Sequence, residues 1–254
     1  AFAQVNPQKN EQEAVDKIDI AIQDGTFTAI NGGTEAVKAE NIKNFVSGGT
    51  FDGEIDKTTV AENSKLVANE DGTYGVVDAA VAEVNGEKYY TLAEAFANAE
   101  NGAVVTLLDD CTVENTIIVD GGRAVTLDLN GYNVELSISK TMILVKDGKL
   151  DVVGKGKIYE AQPYYAPIML RGSNEDVANY SVVNIGKDVT LEGWAGVFIN
   201  QTTGQNNYGM VANIQGTLNS VKDSDGAAGD AVYVNGVINH TEGNVPVINL
   251  DGAT

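Results

Sequence analysis

Short apolar runs separated by turn signals are the feature that most restricts the fold of this chain. Runs rich in β-branched residues occupy positions 103–108, 116–119, 124–129, 142–145 and 230–234. Each has about the usual length of a strand. The Asn-Gly dipeptide, which tolerates positive φ and marks tight turns, begins at Asn31, Asn85, Asn101, Asn130 and Asn235. The pattern therefore predicts an all-β protein.

Strands of this length fit either an antiparallel sandwich or barrel, or a solenoid of parallel strands. Long helical patterns are nearly absent, so βαβ crossovers cannot connect parallel strands. Gly-Thr-Phe occurs at residues 25–27 and again at 49–51, a step of 24 residues (49 − 25), which is about one turn of a three-sided coil. From Val125 onward, strand–turn–strand triplets close with Gly, Asn or Asp, which accept the left-handed conformation at corners. These features favour a parallel β-helix.

One segment, residues 91–100, carries a clear helical pattern. Thr91 and Glu94 form a capping box, and Asn101-Gly102 ends the segment. One apolar face contains Leu92, Ala95, Phe96 and Ala99. Since the first turn of a solenoid has an open apolar end, we interpret this helix as its cap. The alternative is an ordinary packed helix in a mixed domain.

The pattern divides the chain into three parts. Residues 1–52 are predicted to form terminal β-helix-like turns, and the polar segment 53–82 to form a connector with a hairpin. Residues 83–254 are predicted to form a capped parallel β-helix. Residues 247–254 read as the opening of another turn, so this β-helix is expected to be truncated at its C-terminal end.

Two sets of segments resemble a known family. They are residues 84–96 with 102–110, and residues 47–51 with 69–74. Both resemble segments of large repetitive surface proteins of gut-type bacteria, which carry pectin-lyase-like β-helices. There, Gly-Gly-Thr-Phe with Asp-Gly-Thr-Tyr closes one β-helix, and Tyr-x-Thr-Leu-x-Glu-Ala opens the next. The resemblance covers roughly residues 45–135. It implies a right-handed coil and an adhesin or wall-associated role.

The charge is strongly acidic: 36 acidic and 16 basic residues give a formal net charge of −20. Such a surface repels nucleic acid and anionic lipid, so neither is an expected partner. No apolar run approaches the length that spans a membrane. Ala1-Phe2-Ala3 resembles the end of a signal peptide, although it equally fits a plain chain start. The expected location is secreted or at the cell surface.

Cys111 is the single cysteine, which excludes an intrachain disulfide and a cysteine-based zinc site. Its apolar neighbours predict a buried, unreactive thiol. His240 is a lone histidine, and no second ligand for a metal is identifiable beside it.

A polysaccharide lyase or glycoside hydrolase is the main alternative, because many β-helices are such enzymes. A lyase of this type needs carboxylates for Ca²⁺ and a cationic base, and a hydrolase needs paired carboxylates. The only arginines, Arg123 and Arg171, lie outside any Arg-x-Pro-x-x-Arg pattern. The pair Asp109-Asp110 lacks the preceding glycine and is interpreted as a turn. A non-catalytic surface module, an adhesin or stalk, is therefore the preferred function.

Aromatic residues in the irregular part of the coil offer a ligand-binding hypothesis. Tyr164, Tyr165, Trp194 and Tyr208 would give flat amphipathic surfaces for a glycan or a host or bacterial surface protein. The alternative is that these rings cover the ends and corners of the coil. Open ends of the coil would also permit head-to-tail self-association.

An acidic loop offers a metal hypothesis. Asp223, Asp225 and Asp230 loosely resemble a calcium loop, since oxygen-rich turns suit Ca²⁺. The full spacing of such a loop, with its closing glutamate, is missing. The alternative is an ordinary acidic surface loop.

Overall fold

The computed structural model describes residues 2–4, 18–29, 34–139, 141–201, 207–223, 225–235 and 245–254. Contacts divide the chain into an N-terminal unit, residues 1–80, and a C-terminal unit, residues 81–254. Within the described ranges, no helix has the length and apolar character needed to cross a membrane.

The N-terminal unit contains two sheets. The first is parallel, in the order β1-β3-β5, with β1 Phe2–Gln4, β3 Glu35–Ala39 and β5 Glu54–Ile55. The second has the order β2-β4-β7-β6, with β2 Thr26–Thr28, β4 Gly49–Asp52, β7 Tyr74–Asp78 and β6 Ser64–Ala68. A 3₁₀ helix, Lys57–Thr59, follows β5 and is capped by the Asp56 carboxylate.

The repeated Gly-Thr-Phe tripeptide marks two neighbouring parallel strands. Phe27 of β2 pairs in register with Phe51 of β4, and their rings stack with centroids 5.1 Å apart. The predicted step of 24 residues therefore corresponds to one strand spacing. The antiparallel hairpin β6–β7 lies inside the segment 53–82, and β7 pairs with β4, so the hairpin extends this same sheet.

Three sheets build the C-terminal unit. Sheet I has the order β25-β22-β19-β16-β13-β10-β8-β9, with β8 Ala82–Val84, β9 Glu87–Tyr89, β10 Ala103–Leu107, β13 Arg123–Asp128, β16 Gly148–Val153, β19 Ser181–Ile185, β22 Met210–Ile214 and β25 Val247–Leu250. Sheet II has the order β11-β14-β17-β20-β23, with β11 Cys111–Val113, β14 Asn133–Leu136, β17 Gly156–Glu160, β20 Val189–Gly193 and β23 Thr217–Ser220. Sheet III has the order β12-β15-β18-β21-β24, with β12 Ile117–Val119, β15 Ile143–Val145, β18 Ile168–Arg171, β21 Ala195–Asn200 and β24 Asp230–Asn235.

From β10 onward the chain visits sheets I, II and III in turn, and each strand pairs in parallel with the next strand of its sheet. We call one such set of three consecutive strands a rung. Val125 of β13 pairs with Leu150 of β16, a step of 25 residues (150 − 125). The all-β class and the parallel sheets are thus confirmed, and this pairing rules out an antiparallel sandwich for these strands.

Alternating side chains of all three sheets share one core. Leu127, Leu136 and Leu170 are examples from sheets I, II and III, and all are fully buried in it. The alternation follows from the pleat, which turns successive side chains to opposite faces. At the corner after β13, Asn130 adopts φ +48°, and its Nδ2 donates to Leu107 O of the preceding rung at 2.9 Å. This asparagine therefore both makes the turn and links two rungs.

The predicted helix is confirmed and runs from Leu92 to Asn98 (α1). Thr91 Oγ1 accepts the Glu94 amide at 3.2 Å, as the capping box requires. The apolar face packs into the core against the first strands of sheets II and III. Arg123 Nη1 donates to Phe96 O (2.8 Å) and Ala99 O (3.2 Å), and so satisfies carbonyls at the end of the helix.

Cys111 lies in the core with 8 % of its surface exposed. Burial, and then the charge of Asp110, raises the pKa of its thiol to about 12. Because the thiolate is the reactive form, we expect no reaction with a disulfide reagent such as Ellman's reagent at pH 8 in the native protein, and full reaction in urea. Stoichiometric labelling of the folded protein would contradict this expectation.

Candidate functional site

The outer face of sheet I carries a row of matched polar side chains. Asp151, Asn184, Asn213 and Asn249 occupy the same register position on successive strands β16, β19, β22 and β25. We call these four residues the asparagine row. Each lies between two apolar residues of its strand. For Asp151, Asn184 and Asn213 both neighbours belong to the core, so the alternation of the strand turns these three side chains outward.

Hydrogen bonds connect the asparagine row from end to end. Asn249 Nδ2 donates to Asn213 Oδ1 at 2.6 Å, and Asn213 Nδ2 donates to Asn184 Oδ1 at 2.6 Å. Asn184 Nδ2 donates in turn to Asp151 Oδ1. Lys149 Nζ lies 2.9 Å from Asp151 Oδ2 and balances the carboxylate. All four side chains are consequently held in one orientation by their neighbours.

A groove of about 520 Å³ runs beside this row. Its other side is formed where the strands of sheet I end, by Val153, Gly186, Gln215 and Asp251. Gly186 presents no side chain, and Gln215 Nε2 donates to Asp251 Oδ2 at 3.5 Å. Within the described lining, the charged side chains are the two carboxylates Asp151 and Asp251. The groove therefore combines ordered carboxamides, apolar surface and negative charge.

The outer face of sheet II carries a second polar cluster. Tyr159 donates its hydroxyl to Glu135 Oε2 at 2.6 Å. Lys157 Nζ lies 3.1 Å from Glu192 Oε1 and 4.6 Å from the centre of the Tyr159 ring. The hydrogen bond to Glu135, followed by burial and neighbouring carboxylates, raises the pKa of Tyr159 to about 12. Near neutral pH this phenol therefore stays protonated and acts as a donor.

Replacing Glu135 with glutamine is expected to lower the pKa of Tyr159 towards 10, because the largest cause of the raised pKa is removed. Glu192→Gln is the matched control, since this carboxylate contributes least and should leave the pKa of Tyr159 nearly unchanged. The tyrosine ring-carbon chemical shift, followed by NMR against pH, measures both. Equal changes in the pKa of Tyr159 in the two variants would contradict the assignment of Glu135 as the main cause of the raised pKa.

The outer face of sheet III is apolar, and its middle strands are covered. Leu144, Met169, Phe198 and Tyr233 stack in register on β15, β18, β21 and β24. The loop 161–167 packs over them with Tyr165 and Ala166. The result is a second, smaller hydrophobic cluster outside the main core.

The structure brings three of the four predicted aromatic residues together here. Tyr165 lies 5.4 Å from Phe198, Trp194 lies 4.8 Å from Tyr233, and Tyr164 contacts Tyr165 edge-on at 4.6 Å, measured between ring centroids. Tyr164 is 41 % exposed. Tyr208 lies apart, between β21 and β22, where its backbone pairs with Ser173. A ligand-binding role for these rings stays a prediction.

Glu160, at the end of β17, positions the covering loop. It is 6 % exposed, and its carboxylate accepts the backbone amides of Tyr164 (3.3 Å), Tyr165 (3.3 Å) and Trp194 (3.2 Å). Burial raises the pKa of Glu160, although the three hydrogen bonds oppose this effect. Nothing in the sequence around Glu160 indicates this role.

The predicted calcium residues form a turn and the start of a strand. Asp223 Oδ1 accepts the amides of Asp225 (3.0 Å) and Ala227 (2.8 Å). Asp230 begins β24, and its amide donates to Trp194 O at 3.1 Å. Among the residues that the structure describes, no group of three or more His, Cys, Asp or Glu side chains is arranged to hold a metal. His240 and Ser224 lie outside the described residues, and calcium binding stays a prediction.

Sequence reasoning missed the asparagine row, whose signal is an Asp or Asn between two apolar residues in successive sheet I strands. Comparison of the chain with protein-family models, with curated proteins and with solved structures finds no match. The groove beside the asparagine row is therefore identified as the candidate site from its geometry alone.

Proposed function

We propose that this chain is a non-catalytic, extracellular bacterial surface module, an adhesin or structural stalk, that binds a glycan or a surface protein. In this proposal the C-terminal unit is a right-handed, pectin-lyase-like parallel β-helix. Its support is the cyclic passage of the chain through three parallel sheets around one core. Right-handedness is the general preference of connections between parallel strands.

The observation that carries the binding role is the groove on sheet I. Its polar side chains come from four successive strands and are fixed by mutual hydrogen bonds. Preorganised polar groups beside apolar surface are what a binding site needs, since little side-chain entropy is lost when a ligand binds.

Secretion belongs to the same proposal and is supported by the acidic composition and the resemblance to surface proteins. Head-to-tail self-association is also included, with a second copy of this chain as the partner. Unpaired edges of strands are a general route to such association. Concentration-dependent assembly in sedimentation velocity is the expected result, and a strictly monomeric profile at high concentration contradicts it.

A secreted polysaccharide lyase or glycoside hydrolase is the second candidate. The observation that favours it is the presence of Glu135, Glu192 and Lys157 on one face of sheet II. Lyases and hydrolases of polysaccharides use carboxylates and cationic groups on one surface.

A glycan-array screen of the purified chain, with and without Ca²⁺, tests the proposal by following both binding and product release. Binding without turnover supports the surface module, and a dependence on Ca²⁺ would support the loop at Asp223. Release of shortened glycans would overturn the non-catalytic function and direct attention to the face of sheet II.

A further inference from the structure

We infer that the groove on sheet I binds a linear neutral or amine-bearing polysaccharide, which lies across the strands along the direction in which the rungs stack. This inference rests on the proposed function and names the ligand class of its site. The observations that carry it are the hydrogen-bonding capacity of the asparagine row, its spacing and the charge of the groove.

The asparagine row uses only part of its hydrogen-bonding capacity within itself. A carboxamide has two donor hydrogens and two acceptor sites. In the row, Asn184 and Asn213 each donate one hydrogen and accept one. Each therefore keeps a donor and an acceptor for a ligand. A hydroxyl group is both donor and acceptor, so the hydroxyls of a sugar complement this surface.

The spacing of the row favours a repeating ligand. Neighbouring strands lie about 4.8 Å apart, so the four side chains span about 14 Å across three steps. This repeat is close to the length of one sugar unit in an extended polysaccharide. A peptide in extended conformation advances only about 3.4 Å per residue, so the spacing of its residues would not match the spacing of the row. The spacing therefore favours a glycan over a peptide.

The charge of the groove selects among glycans. Asp151 and Asp251 are the charged groups of the described lining, and Lys149 is already paired with Asp151. The chain as a whole carries a formal net charge of −20. Like charges in a groove repel a polyanion, whereas an amine would be attracted to Asp251. A polymer of uronic acids is therefore excluded from this groove.

The apolar side of the groove suits a sugar ring. Val153 is 38 % exposed and lies across from the asparagine row, with Gly186 on the next rung. The C–H faces of a pyranose can pack on such a surface while its hydroxyls reach the carboxamides.

The test uses the whole chain and isothermal titration calorimetry with four hexasaccharides: cellohexaose, mannohexaose, a glucosamine hexamer and oligogalacturonate. Gln215→Trp places a bulky ring in the groove without removing a member of the asparagine row. Asn219→Trp is the matched control, because Asn219 is exposed on sheet II, outside the groove. Asn213→Ala removes one central carboxamide. Circular dichroism confirms that each variant is folded.

We expect at least one neutral or amine-bearing hexamer to bind and oligogalacturonate not to bind. Gln215→Trp and Asn213→Ala should each weaken binding at least tenfold, and Asn219→Trp should change it less than twofold. Binding that persists in Gln215→Trp, or tighter binding of oligogalacturonate, would overturn the inference and leave a surface-binding function intact elsewhere on the chain. Failure of all neutral and amine-bearing hexamers would also overturn it, and recognition of a protein would then be the remaining form of the proposed function.

Discussion

Replacement of Glu160 with alanine is expected to destabilise the C-terminal unit by about 3 kcal/mol. The substitution removes the acceptor of three backbone amides, those of Tyr164, Tyr165 and Trp194. Each buried donor left without a partner costs about 1–3 kcal/mol, and water that enters the vacated space recovers part of this. Urea unfolding, monitored by the fluorescence of Trp194, measures the change in stability. Trp194 is the only tryptophan and lies where the loop is attached.

The matched variant Glu160→Gln keeps the shape of the side chain and removes its titration. We expect an intermediate loss of stability, because the amide group offers one acceptor oxygen in place of two. In the native protein the pKa of Glu160 is raised above its ordinary value, so the folded state binds this proton more tightly than the unfolded state. The part of its contribution that comes from this tighter proton binding is therefore fully present below the ordinary pKa and is lost as pH rises through the raised value, whereas the three hydrogen bonds to the carboxylate are a separate contribution. Glu160→Gln should lack this pH dependence, and equal stability of Glu160→Ala and native protein would contradict the role of Glu160.

The strands of the C-terminal unit were largely predictable because local sequence determines them. The run 124–129 became β13 and the run 230–234 became β24, each within about two residues. Their parallel pairing was predictable from the scarcity of helices, and the Gly-Thr-Phe repeat indicated the parallel pairing of β2 and β4 in the N-terminal unit. The capping box likewise defines the start of α1 through interactions within one turn.

The asparagine row was harder to predict because its members have no constant spacing along the chain. Asn184 and Asn213 are 29 residues apart (213 − 184), whereas Asn213 and Asn249 are 36 apart (249 − 213). The segments that connect the strands differ in length, which causes this variation. The local pattern is nevertheless constant: each asparagine lies between two apolar residues of a strand. Once the strands are aligned by their inward residues, the row becomes visible.

The role of Glu160 depends on long-range contacts and could not be predicted locally. Its partner Trp194 lies 34 residues further along the chain. The second hydrophobic cluster has the same origin, since β21 is buried on both faces and its sequence reads as one continuous apolar run. Periodicity identifies the inward face of a strand, but it does not reveal which outer face a loop will cover. Tyr165 and Trp194 could therefore be recognised as notable residues, while their packing against Phe198 and Tyr233 could not.

Replacement of Leu150 with alanine is expected to destabilise the C-terminal unit by about 2–5 kcal/mol. Leu150 is fully buried and lies in register between Val125 and Val183 of the neighbouring strands. Because the backbones on both sides are fixed by parallel hydrogen bonds, the surrounding chain cannot close the space left by the removed methyl groups. The expected cost therefore contains a cavity contribution in addition to the lost burial.

The matched control for Leu150→Ala is Val153→Ala on the same strand, whose side chain is outward and 38 % exposed. This variant should lose less than about 1 kcal/mol, since its removed atoms are partly in water already. The same urea unfolding experiment, monitored by Trp194 fluorescence, compares the two variants. The comparison requires that the free energy of unfolding depends on urea concentration with the same slope in both. We expect a large loss in the free energy of unfolding for Leu150→Ala and a small one for Val153→Ala. The reason is that the stacked inward side chains provide most of the stability of this unit. Equal losses would contradict the division into inward and outward faces on which both the core and the groove depend.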